Sequence, residues 1–191
     1  STDNGATFTT PPIDISADVW VRVSRGPLIA LDPSNPDRVH IAFLETGPDG
    51  NYDYSIYHTR SLNGGLSFSE PYQVDGEANF GSLEALVVDD SGNPWIAWDE
   101  YNNFPTPRVR VATSFNGGGN WHTPSWGLAQ HSADWIDLAV SDSGIVHAAW
   151  GGGIPHNVKH AYFQSTSFST PVIVIPDSEM LGSSSGKLLL D

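Results

Sequence analysis

The chain has 191 residues, 22 of them acidic and 8 basic, for a formal charge of −14. Such a surface repels phosphate backbones and speaks against nucleic acid as a partner. Cysteine is absent, so disulfides and thiolate metal sites are excluded, and no apolar run reaches the roughly 20 residues of a membrane-spanning helix.

Taken in chain order, one short stretch returns. "STDNGATFTTP" opens the chain at Ser1, "SLNGGLSFSEP" runs from Ser61 to Pro71, and "SFNGGGNWHTP" runs from Ser114 to Pro124. Between these turns lie three longer look-alikes: "LIALDPSNPDRVHIAF" from Leu28, "EALVVDDSGNPWIAW" from Glu84, and "IDLAVSDSGIVHAAW" from Ile136. Each reads as an apolar strand, a turn of Asp, Ser, Gly and Asn, and a second apolar strand ending in an aromatic. A polar loop and a third strand follow, "DYSIYHTRS", "RVRVATS" or "NVKHAYFQS". The glycine turn then leads into a fourth strand marked aromatic-x-x-Pro at Phe8, Phe68, Trp121 and Phe168. Hydrophobic residues make up 39% of the chain, enough to bury a core.

A unit of about fifty residues holding four short strands, with no competing helical period, predicts an all-β fold of antiparallel four-stranded blades arranged as a β-propeller segment. A β-sandwich is the runner-up. The expected division is 1–23, the last strand of a preceding blade and its connection; full blades at 24–75, 76–128 and 129–176; and 177–191, the start of a further blade, since "KLLLD" matches the opening of a first strand. Three full blades between two partial ones imply that the remainder of a longer chain, or further copies, completes the propeller.

The turn Ser-x-Asp/Asn-x-Gly-x-Thr/Ser-aromatic resembles the Asp-box of sialidase-like (BNR repeat) β-propellers. Box one holds Ser1, Asp3, Gly5, Thr7 and Phe8; box two holds Ser61, Asn63, Gly65, Ser67 and Phe68; box three holds Ser114, Asn116, Gly118 and Trp121, with Asn120 in place of the hydroxyl residue. The third full blade keeps Phe168 and Pro171 but lacks the Asp and Gly, which predicts a shorter hairpin. The chemistry predicts a structural role. An Asx side chain accepts backbone N–H groups ahead of it, glycine takes a positive φ, and the aromatic plugs the space between sheets.

In propellers of that kind the functional face lies opposite the box turns. Here it would be built from the loops 45–53, 99–107 and 151–157 and from the inter-blade connections. Candidate ligand-binding residues are Glu45, Tyr52, Asp99, Tyr101, Phe104 and Trp135, with aromatics to stack on sugar rings or partner side chains. For a glycosidase, two carboxylates about 5 to 9.5 Å apart would be needed. Asp99 and Glu100 point to opposite sides of a strand, so a pair across blades, Glu45 with Asp99, is the better candidate. The resemblance also implies a clamp of three arginines for sialidase activity; the chain has only six arginines, and they do not converge in the sequence pattern. Calcium is a possible cofactor at Asp49, Asn51 and Asp53, which alternate as in a calcium loop but lack the downstream Glu; otherwise no cofactor is expected.

The sequence thus predicts a secreted or cell-surface module, non-catalytic, with a glycan or protein partner. The alternatives are a sialidase-like glycoside hydrolase with part of its catalytic set outside these residues, and a self-assembling structural subunit that pairs through open strand edges.

Overall fold

A computed structural model describes residues 6–7, 11–16, 24–46, 54–74, 81–100, 108–122, 125–131, 133–152 and 156–175. All regular structure among the described residues is β, in three antiparallel sheets. Sheet 1 runs in the order β1 (Ser24–Asp32), β2 (Asn35–Thr46), β3 (Tyr54–Ser61), β4 (Tyr72–Gln73). Sheet 2 repeats this with β5 (Gly81–Val88), β6 (Pro94–Glu100), β7 (Val109–Thr113), β8 (Trp126–Ala129). Sheet 3 uses β9 (Trp135–Val140), β10 (Val146–Gly152) and β11 (Asn157–Gln164), and splits its fourth position between β12 (Ser167–Phe168) and β13 (Val172–Ile175), both paired with β11.

The register explains how the sheets stack. In β6 the side chains alternate between two cores. Trp95 and Ala97 join Val109, Val111, Ile136, Leu138, Ala148, Trp150 and Ala161 in the core shared with sheet 3. Ile96 and Trp98 join Ala42, Leu44, Ile56, Ala112 and Trp121 in the core shared with sheet 1. That is why "PWIAWDE" is buried at every position instead of alternating with water. Each large apolar side chain so buried contributes about 1.5–3 kcal/mol.

Pairing aligns the sheets residue by residue. His40 lies opposite Arg60, Trp95 opposite Thr113, and His147 opposite Tyr162. Val39, Pro94 and Val146 are therefore equivalent, and so are His40, Trp95 and His147. With that alignment, one face of each sheet, its leading face, packs on the opposite or trailing face of the next. His40, Ala42 and Leu44 lead in sheet 1, and Trp95 and Ala97 lead in sheet 2. Ile96 and Trp98 trail in sheet 2, as do Ala148 and Trp150 in sheet 3. The first strands contact one another in series, β1 with β5 and β5 with β9.

The β1–β2 type turns are closed by side chains. Asp89 accepts from Ser91 N at 2.9 Å, Asn93 N at 3.0 Å and the Trp95 indole Nε1 at 2.9 Å. Asp32 accepts from Ser34 N and Oγ at 2.8 and 2.6 Å. In sheet 3 Ser141 takes this place and accepts from Ile145 N at 3.2 Å.

Candidate functional site

At one end of the sheets lie the glycine turns. In the second, Ser61 Oγ donates to Asn63 Oδ1 (2.8 Å) and accepts from Gly65 N (2.8 Å), while Asn63 Oδ1 accepts from Ser67 N (3.0 Å) and Nδ2 donates to Ser67 Oγ (2.8 Å). The third has the same pattern. Ser114 Oγ donates to Asn116 Oδ1 (2.7 Å) and accepts from Gly118 N (2.8 Å), and Asn116 Oδ1 accepts from Gly119 N (2.9 Å) and Asn120 N (2.8 Å). Asn120 supplies its backbone N–H, so the missing hydroxyl costs only the side-chain half of the clasp. Gly65 and Gly118 both have φ +86°, a region that a Cβ resists. Trp121 is 5% exposed and sits in the core between sheets 1 and 2, whereas Phe68 is half-buried. Of the first box only Thr7, which is exposed, lies within the described residues; Ser1, Asp3, Gly5 and Phe8 lie outside them. Where sheet 3 lacks a box, Gln164 pairs with Ser167 and Ser165 takes φ 58°, with Thr166 N bonded to Gln164 O at 2.5 Å, a tight γ-type turn.

Two histidine pairs were not legible as pairs in the sequence. His40 Nδ1 lies 3.1 Å from His58 Nε2, and the rings stack. His147 Nδ1 lies 2.9 Å from His160 Nε2 at the same diagonal of sheet 3. The recurring "VHIAF" and "VHAAW", with a histidine on each following third strand, was the available signal. Both histidines of the first pair are buried, and Trp121 from sheet 2 meets the His58 ring edge-on at 5.0 Å. A Cβ on Gly118 would stand 2.4 Å from His58 Cε1. The box glycine of one sheet thus makes room for the histidine of the sheet before it. Burial pushes His40 down to about 4, with the Arg60 and Arg38 charges adding to the effect and Asp32 opposing it. Burial and the charges of His40 and Arg60 push His58 down to about 3.

At the other end are the expected ligand residues. Glu45 is fully buried and receives the Ser24 hydroxyl at 3.4 Å. Asp99 is 1% exposed and accepts Ala133 N, just ahead of β9, at 3.3 Å. Burial raises its carboxyl to about 6, against the lowering pull of that bond and of Arg108. Glu100 points the other way and pairs with Arg110 Nε at 3.1 Å, as the strand alternation predicts. Trp135 is half-buried on the leading face of sheet 3, where a Cβ on Gly151 would meet its indole at 2.7 Å.

One expectation needs correction. Residue-by-residue alignment makes Glu45 equivalent to Glu100, not to Asp99. Glu45 shares the trailing face of sheet 1 with Phe43, and Asp99 shares the leading face of sheet 2 with Ala97. Two sheets therefore separate them, and they do not form a facing pair. Glu45, Asp99 and Trp135 share one end of the sheets but lie on three different faces. Tyr52, Tyr101 and Phe104, and the calcium candidates Asp49, Asn51 and Asp53, lie outside the described residues. Among the described residues no three His, Asp or Glu side chains cluster as metal ligands. Along the start of β1, beside Ser24, lies a cleft of about 350 Å³ lined by Ile13, Asp14, Ser24, Arg25 and Phe43 among others. The Arg25 guanidinium lies 3.7 Å from the centre of the Tyr54 ring.

No family model and no curated protein matches the sequence. Among solved structures, the chain is similar to a glycosyl hydrolase from Bacteroides ovatus, with a TM-score of 0.49 and 13% identity over 78% of this chain and 48% of that one. It is also similar to the catalytic domain of a GH62 α-L-arabinofuranosidase from Coprinopsis cinerea, with a TM-score of 0.46 and 15% identity over 82% and 52%. A xylan β-1,4-xylosidase from Bacillus halodurans C-125 follows, with a TM-score of 0.45 and 15% identity over 85% and 32%. The chain spans about half or less of the length of these structures.

Proposed function

We propose that the chain is a segment of a secreted or surface Asp-box β-propeller, acting as a non-catalytic module that binds a glycan or a protein at the loop end of its sheets. The stacking of unlike faces and the serial contact of first strands support the radial arrangement. The observation that carries the functional reading is the state of the carboxylates. Glu45 and Asp99 are buried and tied to Ser24 and Ala133 N, so they act as internal clasps rather than groups turned to a substrate. The cleft beside Arg25 is the open surface at that end.

One observation favours a glycoside hydrolase instead. A carboxyl whose pKa is raised to about 6 has the proton affinity of a general acid. Binding of the chain to a glycan array, run beside turnover of fluorogenic glycosides, separates the two. Binding without turnover is expected, and Arg25→Gln should weaken it. Turnover that disappears in Asp99→Asn or Glu45→Gln would overturn the binding reading.

A further inference from the structure

The turn end carries a second cleft, of about 270 Å³, between sheets 1 and 2. Arg38 and Arg60, two of the six arginines in this acidic chain, both line it. Each reaches it from sheet 1. Arg38 NH1 pairs with Asp32 Oδ2 at 3.3 Å and its side chain remains 42% exposed. Arg60 NH1 crosses to the carbonyls of Asn116 and Gly117 in the third box. A guanidinium carries five donors, and among the described residues both arginines keep donors that no protein acceptor uses. Among the described residues no carboxylate lines the cleft. Asp32 is engaged by Ser34 N and Oγ and by Arg38, and Asp89 by Ser91 N, Asn93 N and Trp95 Nε1.

The rest of the lining is amphipathic. Ser91 Oγ and Asn93 Oδ1 remain available, because both residues spend their other groups on Asp89. Leu62 and Phe115, which occupy the same position in successive boxes, are 61% and 56% exposed and supply an apolar wall. A fork of guanidinium donors selects a planar oxyanion, acceptors beside it suit hydroxyl groups, and an apolar wall suits the C–H face of a ring.

We propose that this cleft binds a carboxylated saccharide, a hexuronate, with its carboxylate on Arg38 and Arg60 and its hydroxyls on Ser91 and Asn93. The site lies at the opposite end from the loop-end surface proposed above and does not depend on it.

The test is an NMR titration of the 191-residue chain at constant ionic strength with sodium glucuronate, glucose, acetate and inorganic phosphate. Glucuronate is expected to give saturable shifts of the Gly117 and Asn93 amides, with glucose and acetate at least ten-fold weaker. Arg38→Gln and, as a milder change, Ser91→Ala should weaken glucuronate about ten-fold and three-fold. Lys159→Gln, the same charge change on sheet 3, should leave it unaltered. Shifts that do not saturate, or equal weakening by Lys159→Gln, would show diffuse charge attraction and overturn the site. Phosphate binding as tight as glucuronate would reduce it to a bare anion hole and overturn the saccharide assignment. Saturable shifts confined to residues around Arg25 would move the binding to the loop end and overturn this proposal alone.

Discussion

The two histidine pairs are one device in two settings. His40 and His58 lie under sheet 2, capped by Trp121 and fitted against Gly118. His147 and His160 hold the same diagonal on sheet 3, yet both are only half-buried, and Tyr162 beside them is 36% exposed. Burial lowers His147 below its ordinary value, with the His160 charge adding to it, but without the large shift of the covered pair. The sequence element is the same, and the cover that Trp121 and Gly118 give the first pair accompanies its larger shift.

Removing the cap breaks this comparison most strongly. Trp121→Ala should cost about 3–5 kcal/mol in urea unfolding and raise the His58 pKa toward 6.5. An unchanged His58 titration would mean that Trp121 is not what keeps water away.

Next come the two box glycines. Both share φ +86°, so alanine at either suffers the left-handed penalty of about 1 kcal/mol. Only Gly118 has His58 in the path of a Cβ, whereas nothing stands within 4 Å of one at Gly65. Gly118→Ala should therefore lose about 1–3 kcal/mol more than Gly65→Ala, and equal losses would place His58 elsewhere.

The pH dependence sharpens the comparison further. Unfolded histidines take up protons below about 6.5, while folded His40 and His58 stay neutral down to about 4 and about 3. The unfolded state binds more protons in that window, so stability falls as pH drops from 6.5 toward 4, at up to about 1.4 kcal/mol per pH unit for each histidine. Asp99 runs the other way. Its folded pKa of about 6 lies above the ordinary 3.8, so its contribution is present below about 4 and is lost as pH rises to 6. Asp99→Asn should therefore steepen the loss between pH 6 and pH 4. A shallower slope in denaturant melts would contradict the burial assigned to Asp99.

The smallest effect is expected where sheet 3 replaces the box with a bare hairpin. Ser165→Gly should stabilise by about 0.5 kcal/mol, since relief of φ 58° slightly exceeds the added chain entropy of glycine.

The strands and turns were readable because their signals are local. Alternation in "VHIAF" and "PWIAW", and the Asx-Gly spacing of the boxes, encode geometry within a few residues. The loss of the box before Phe168 announced the short hairpin for the same reason. What lay beyond reach was the pairing of separate strands. The histidine pairs and the reach of Arg60 to Gly117 depend on register, and a shift of one residue turns a side chain to the other face. Glu45 and Asp99 looked alike as acids ending second strands, although counting from the aromatics Phe43 and Trp98 already sets Glu45 against Glu100, as the ladder does.

The packing of leading on trailing faces has a consequence for size. A contact between unlike surfaces satisfies one neighbour and leaves an identical demand on the far side, so it never terminates itself. In the propeller proposed above, how many repeats fit is then set by the rotation each seam imposes, not by any property of a single repeat. A mutation that changes the wedge at one seam, Gly118 against His58 for instance, would act on the angle at which sheets 1 and 2 meet.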